Sequence, residues 1–139
     1  MVLLLITASA TAWVWLRPYE WRPDAGARFR IEGVVLTRDH ANHWLDVRLK
    51  KAGDAPHDLQ KPVRLMIGAG RELAPAETTL IGEEGKGTTG IWLRFWLEPG
   101  DLNGPIRLHL NDGILLVKAS QGEPQLGTSA RKFMNSTHW

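Results

Sequence analysis

From Arg28 onward the chain repeats a two-residue rhythm of apolar and polar positions, the period of a strand that buries one face and wets the other. Leu45, Val47 and Leu49 alternate with Asp46, Arg48 and Lys50, and Ile106, Leu108 and Leu110 alternate with Arg107 and His109. Val63, Leu65 and Ile67 alternate with Arg64 and Met66. Strand-like runs are therefore predicted at 28–37, 43–51, 62–68, 78–81, 89–97, 106–110 and 113–118. No run after residue 27 has the three-to-four spacing of an amphipathic helix.

Turn chemistry separates these runs. Asn111-Asp112-Gly113 predicts a tight hairpin, because Asn and Gly accept the positive φ that such turns need. Gly68 to Glu72 predicts a second hairpin, Glu83 to Gly87 an exposed loop, and Glu98 to Pro105 a corner. One wet and one dry face per strand is the signature of antiparallel sheets packed in pairs. Six to seven such strands predict an all-β, antiparallel, immunoglobulin-like β-sandwich over residues 28–120.

Ahead of the domain the pattern changes. Val2 to Leu16 carry no charge, and every Lys, Arg, Asp and Glu follows them. As a helix these 15 residues span roughly 22 Å, short of a hydrocarbon core of about 30 Å. Trp13, Trp15, Tyr19 and Trp21, with Arg17 and Arg22, match the aromatic and basic flank of a membrane interface. Residues 1–16 are therefore expected to form a hydrophobic helix that anchors the chain in a membrane. A cleaved signal sequence is the alternative, although no basic residue precedes Arg17. A helix packed on its own domain is a further one. Residues 17–27, with Pro18, Pro23 and Gly26, read as a linker.

Composition narrows the function classes. The 17 basic and 15 acidic residues are interspersed, for a net charge of +2, so no nucleic-acid partner is expected. With no cysteine the chain forms no disulfide, thiolate metal site or cysteine nucleophile. Phosphate loops, Gly-x-Ser-x-Gly and His-Glu-x-x-His are absent from the sequence, so it is expected not to be an enzyme and to need no cofactor.

Trp44-Leu45-Asp46-Val47, Leu65 to Gly70, Gly90 to Pro99 and Ile106 to Gly113 follow one another in a layout that resembles the extracytoplasmic immunoglobulin-like domains of bacterial membrane-anchored proteins. The resemblance covers roughly Arg28 to Ser120 and implies a binding or immunity-type surface module. It carries over no functional residue, and the cysteine that usually anchors such proteins to lipid is missing.

Two groups of side chains carry candidate chemistry. Trp92, Arg94 and Trp96 lie opposite Ile91, Leu93, Phe95 and Leu97, and Trp44 occupies the polar face of its own strand. Together they could stack on a sugar or on a partner's side chains, since Trp offers a broad apolar face with a donor at its edge. The plainer reading is that the tail or the Trp-rich linker covers them. His40, His43 and His57, with Asp39 or Asp58, could supply a zinc or copper shell. The plainer reading of Asp39 to His43 is a polar hairpin tip. In the tail, residues 121–139, Phe133 and Trp139 are expected to dock on the sandwich, because a terminus frays unless tied down. The expected function is a membrane-anchored, extracytoplasmic, non-enzymatic binding or assembly module, with another envelope protein as a possible partner. A periplasmic metal-binding module is the alternative.

Overall fold

The computed structural model describes residues 24–139 except Ala69, Lys86, Gln125, Gly127, Thr128, Asn135, Ser136 and His138. The expected leader helix and most of the linker lie outside the described residues. Among those described, no helix is long and apolar enough to cross a membrane.

The alternating runs form the strands they predict. In chain order these are β1 (Phe29–Asp39), β2 (Asn42–Lys51), β3 (Arg64–Ile67), β4 (Arg71–Leu73), β5 (Glu77–Glu83), β6 (Gly87–Leu97), β7 (Ile106–Leu110), β8 (Gly113–Lys118) and β9 (Arg131–Met134). All pair antiparallel, in a five-stranded sheet ordered β5-β6-β2-β1-β9 and a four-stranded sheet ordered β4-β3-β7-β8. The all-β expectation holds. β4 and β9 are additions to it, since Arg71-Glu72-Leu73 is short and polar and Arg131-Lys132-Phe133-Met134 shows no clean alternation.

The two sheets share one apolar core. Leu45, Val47 and Leu49 of β2 and Ile91, Leu93, Phe95 and Leu97 of β6 are at most 1% exposed, in one cluster with Leu65, Ile106, Leu108, Leu110, Leu115 and Val117 of the other sheet. Each such side chain contributes about 1.5–3 kcal/mol relative to an exposed position. Because neighbours along a strand point to opposite faces, a buried inner row at Leu45, Val47 and Leu49 forces Trp44, Asp46 and Arg48 onto the outer face.

The turn at Asn111-Asp112 is a hairpin, yet its glycine serves a different end from the one expected. Asn111 takes the left-handed conformation, with φ of 53°. Gly113 is needed for space, because a Cβ there would overlap the backbone nitrogen of Ala27. Ala27 belongs to a short 3-10 turn, Ala25–Ala27, that Asp24 caps by accepting the Gly26 amide at 3.0 Å. Asp24 also accepts the Ile114 amide at 2.8 Å, which ties this turn to β8.

The tail closes the other side. β9 pairs with β1 through Val34 to Thr37, the Ala119 amide donates to the Thr137 carbonyl, and the Trp139 indole donates to the Val117 carbonyl at 3.0 Å. Trp139 and Met134 lie in the core cluster, whereas Phe133, expected to dock, is 67% exposed.

Candidate functional site

The outer face of the five-stranded sheet brings Trp44, Trp92, Arg94 and Trp96 together. Register sets Trp44 beside Trp96, Asp46 beside Arg94, and Arg48 beside Trp92. β1 adds Thr37, Val35 and Gly33 across from Trp44, Asp46 and Arg48. At the two edges β5 adds Glu77 and Thr79, while β9 adds Arg131 and Phe133.

These side chains stack in alternation. The Arg94 guanidinium lies 4.3 Å from the centre of the Trp44 ring, that of Arg48 lies 5.1 Å from the Trp92 ring, and Trp44 meets Trp96 at 4.5 Å and 61°. Such cation–ring contacts contribute about 0.5–1 kcal/mol when exposed and more when dry. Asp39 fixes the upper end by accepting from the Trp44 indole at 3.2 Å.

Electrostatics differ along the face. Burial raises the Asp46 pKa above the usual carboxylate value, with Arg94 acting in the opposite sense from 3.6 Å. The Arg94 Nε is itself buried without a hydrogen-bond partner. Asp39 goes the other way, lowered chiefly by its hydrogen bond with His40.

The described part of the tail lies beside this face instead of over it. β9 extends the sheet at its edge, leaving Trp92 47% exposed and Phe133 67% exposed, while Trp44, Arg94 and Trp96 are half-buried.

His40, His43 and His57 do not converge. His40 sits at the solvent-exposed β1–β2 turn with a φ of 57°, and its ring hydrogen-bonds Asp39. His43 points to the inner face, 7% exposed. Burial lowers its pKa, and its Nδ1 has no partner. His57 meets Phe29 edge-on at 5.7 Å and hydrogen-bonds Asn111 at 3.0 Å, at the far end of β1 from Asp39. Ten steps along a strand separate those ends by about 33 Å. Asp58 also belongs to that distant end, its amide donating to Asn111 at 2.8 Å. Among the described residues no group of three or more His, Asp or Glu could hold a metal ion.

Sequence reasoning missed Arg48, Lys50, Arg30 and Phe133 as members of the face. The parity of Arg48 and Lys50 was legible, whereas β9 shows no clean alternation to place Phe133, and membership of the face depends on which strands are neighbours, which alternation does not encode.

Searches against protein-family models, curated proteins and solved structures return no match for this chain.

Proposed function

We propose that this protein is a non-enzymatic binding or assembly module whose contact surface is the outer face of the five-stranded sheet. The observation that carries the reading is the exposure of Trp92 and Phe133 on a face otherwise built of stacked Trp and Arg. Trp and Arg are the residues that contribute most at binding surfaces, because they combine large contact area with few, directional donors. A wet sheet face with no partner needs none of them.

The immunoglobulin-like assignment belongs to the same proposal. Setting β9 aside, the orders β1-β2-β6-β5 and β4-β3-β7-β8 match strands A-B-E-D and C′-C-F-G of that sandwich. The tether rests on the uncharged run Val2 to Leu16 and the aromatic, basic flank after it, which favour a membrane-anchored domain displayed outside the cytoplasmic membrane. Alkaline phosphatase fused after Trp139 tests the tether: an active, membrane-bound fusion is expected, and a soluble, inactive one rejects it.

Hydroxyl-radical footprinting in intact cells and on purified protein tests the surface. Trp92 and Phe133 are expected to be protected in cells and reactive once purified. Equal oxidation in both states sinks the binding reading.

A further inference from the structure

One end of the outer face gathers three exposed cations, where Asp46 acts electrostatically on Arg48 and Glu32 is exposed at the β1 bulge. Arg30 and Lys50 stand directly opposite each other on β1 and β2, and Arg48 lies two residues along β2 beside Trp92. Directly opposed side chains have Cβ atoms about 4.5–5.5 Å apart, a spacing at which like charges destabilise the pair. All three cations are exposed, and none makes an ion pair with a described residue. On one side each cation of β2 has a glycine for its cross-strand neighbour, Gly33 for Arg48 and Gly90 for Lys50, while on the other side Arg48 meets Trp92 and Lys50 meets Arg30.

We propose that this strip binds an acidic glycan strand, with Arg30, Arg48 and Lys50 holding its anionic groups and Trp92 stacking on a sugar ring. The proposal rests on the outer face being the contact surface and adds the class of ligand. Its geometry is narrow: the strip crosses β6, β2 and β1, two strand spacings or about 10 Å, which suits a chain and not a plane. An anionic bilayer laid flat on the sheet would also cover Asp39, Asp46 and Glu77, which repel it. A nucleic-acid single strand gains affinity from successive stacking platforms, whereas Trp44 and Trp96 are packed against each other and Trp44 lies under Arg94. A peptide strand added to a sheet uses free backbone groups, and β2 and β6 are already paired on both sides at Arg48, Lys50 and Trp92, which leaves only the short Arg30 end of β1 among the described residues.

Heparin and polygalacturonate serve as sulfated and carboxylated probes of the full-length purified protein, with dextran as the neutral control. Both acidic polymers are expected to bind and dextran not to. Arg48→Ala and Lys50→Ala should each weaken binding roughly tenfold, as for the loss of one charge-assisted contact. Each should also lower the slope of log affinity against log salt by about one. Trp92→Ala should weaken binding without changing that slope. Arg107→Ala, on the exposed face of β7, should change nothing. Equal losses from Arg107→Ala and Lys50→Ala, or equal binding of dextran, overturn the proposal. So does tighter binding of phosphatidylglycerol vesicles or oligothymidylate through the same residues.

Arg30→Glu provides a variant that cannot be dismissed as misfolded. It sets opposite charges across β1 and β2, so the denaturation midpoint should rise while glycan affinity falls. A fall in both would make Arg30 structural and overturn its role. If Trp92 and Phe133 are protected in cells but neither acidic polymer binds, the glycan class fails alone. Absence of protection removes the surface reading beneath it.

Discussion

Arg94 is held between an aromatic ring and a carboxylate, and neither contact is complete. Its guanidinium lies on Trp44, it is 3.6 Å from Asp46, and its Nε is buried without a hydrogen bond. Removing the cation while keeping the apolar stem, as in Arg94→Met, leaves Asp46 partly buried without its nearest counter-charge. Both side chains are about a third exposed, at 36% and 31%, so water screens the loss, and we expect roughly 1 kcal/mol by urea denaturation. Asp46→Asn should be close to neutral, because the charge that resists burial goes with it; a larger loss than for Arg94→Met would contradict this. His43 sets a pH dependence. Burial lowers its pKa below 6.5 in the folded state, so the unfolded chain binds the proton more readily. Stability should therefore be full above about pH 6.5 and fall as pH drops through the window below it. Urea unfolding at pH 5 and 7.5 should show this step, and His43→Leu should flatten it. Alternation placed Trp44, Trp92, Arg94 and Trp96 on polar faces, but it could not show that Arg48 stacks on Trp92, a contact that only register creates.

β9 separates what a strand looks like in sequence from what it does in a sheet. Its four residues pair with β1 across almost a hundred positions of chain, and no local pattern announces a partner so distant. Most of the seven strands that were legible carry an alternation of their own, β2 and β6 of the candidate face among them, whereas β5 is exposed along nearly its whole length. β9 also splits its apolar residues between faces: Phe133 stands beside Val35 outside, and Met134 beside Val34 inside. Met134→Ala should cost about 2–3 kcal/mol for its buried side chain, while Phe133→Ser should stay within roughly 0.5 kcal/mol. Thermal or urea midpoints of the two variants check the contrast. Equal losses would mean that Phe133 packs against something outside the described residues. The glycine of the β7–β8 turn teaches a related point, since the sequence identified the residue type but not its reason. Gly113→Ala should damage the fold through contact with Ala27, whereas Asn111→Gly, which suits the positive φ, should be harmful only through loss of the bonds its side chain makes to Ala27, His57 and Asp58.

At the scale of the molecule, the segment after residue 130 bonds to both sheets, in addition to the apolar core they share. It adds β9 to one sheet through β1 and reaches the other through the Thr137 carbonyl and the Trp139 indole on β8. Lys118 completes this joint. Its side chain is fully buried, donates to the Ser120 carbonyl at 2.5 Å, and lies 5.9 Å from the centre of the Trp139 ring. Burial lowers the Lys118 pKa, and the carbonyl and the ring work in the opposite sense by favouring the cation. Trp139→Ala removes a buried aromatic together with its hydrogen bond to the Val117 carbonyl and its ring contact with Lys118, a loss of about 3 kcal/mol or more. If the tail is a joint between sheets, that loss is global. Amide exchange should then accelerate roughly a hundredfold in β1 and in β8 alike, with unfolding remaining a single transition. Acceleration confined to β8 would instead make the tail a local plug on one edge, and the two sheets would be held together by their apolar core alone.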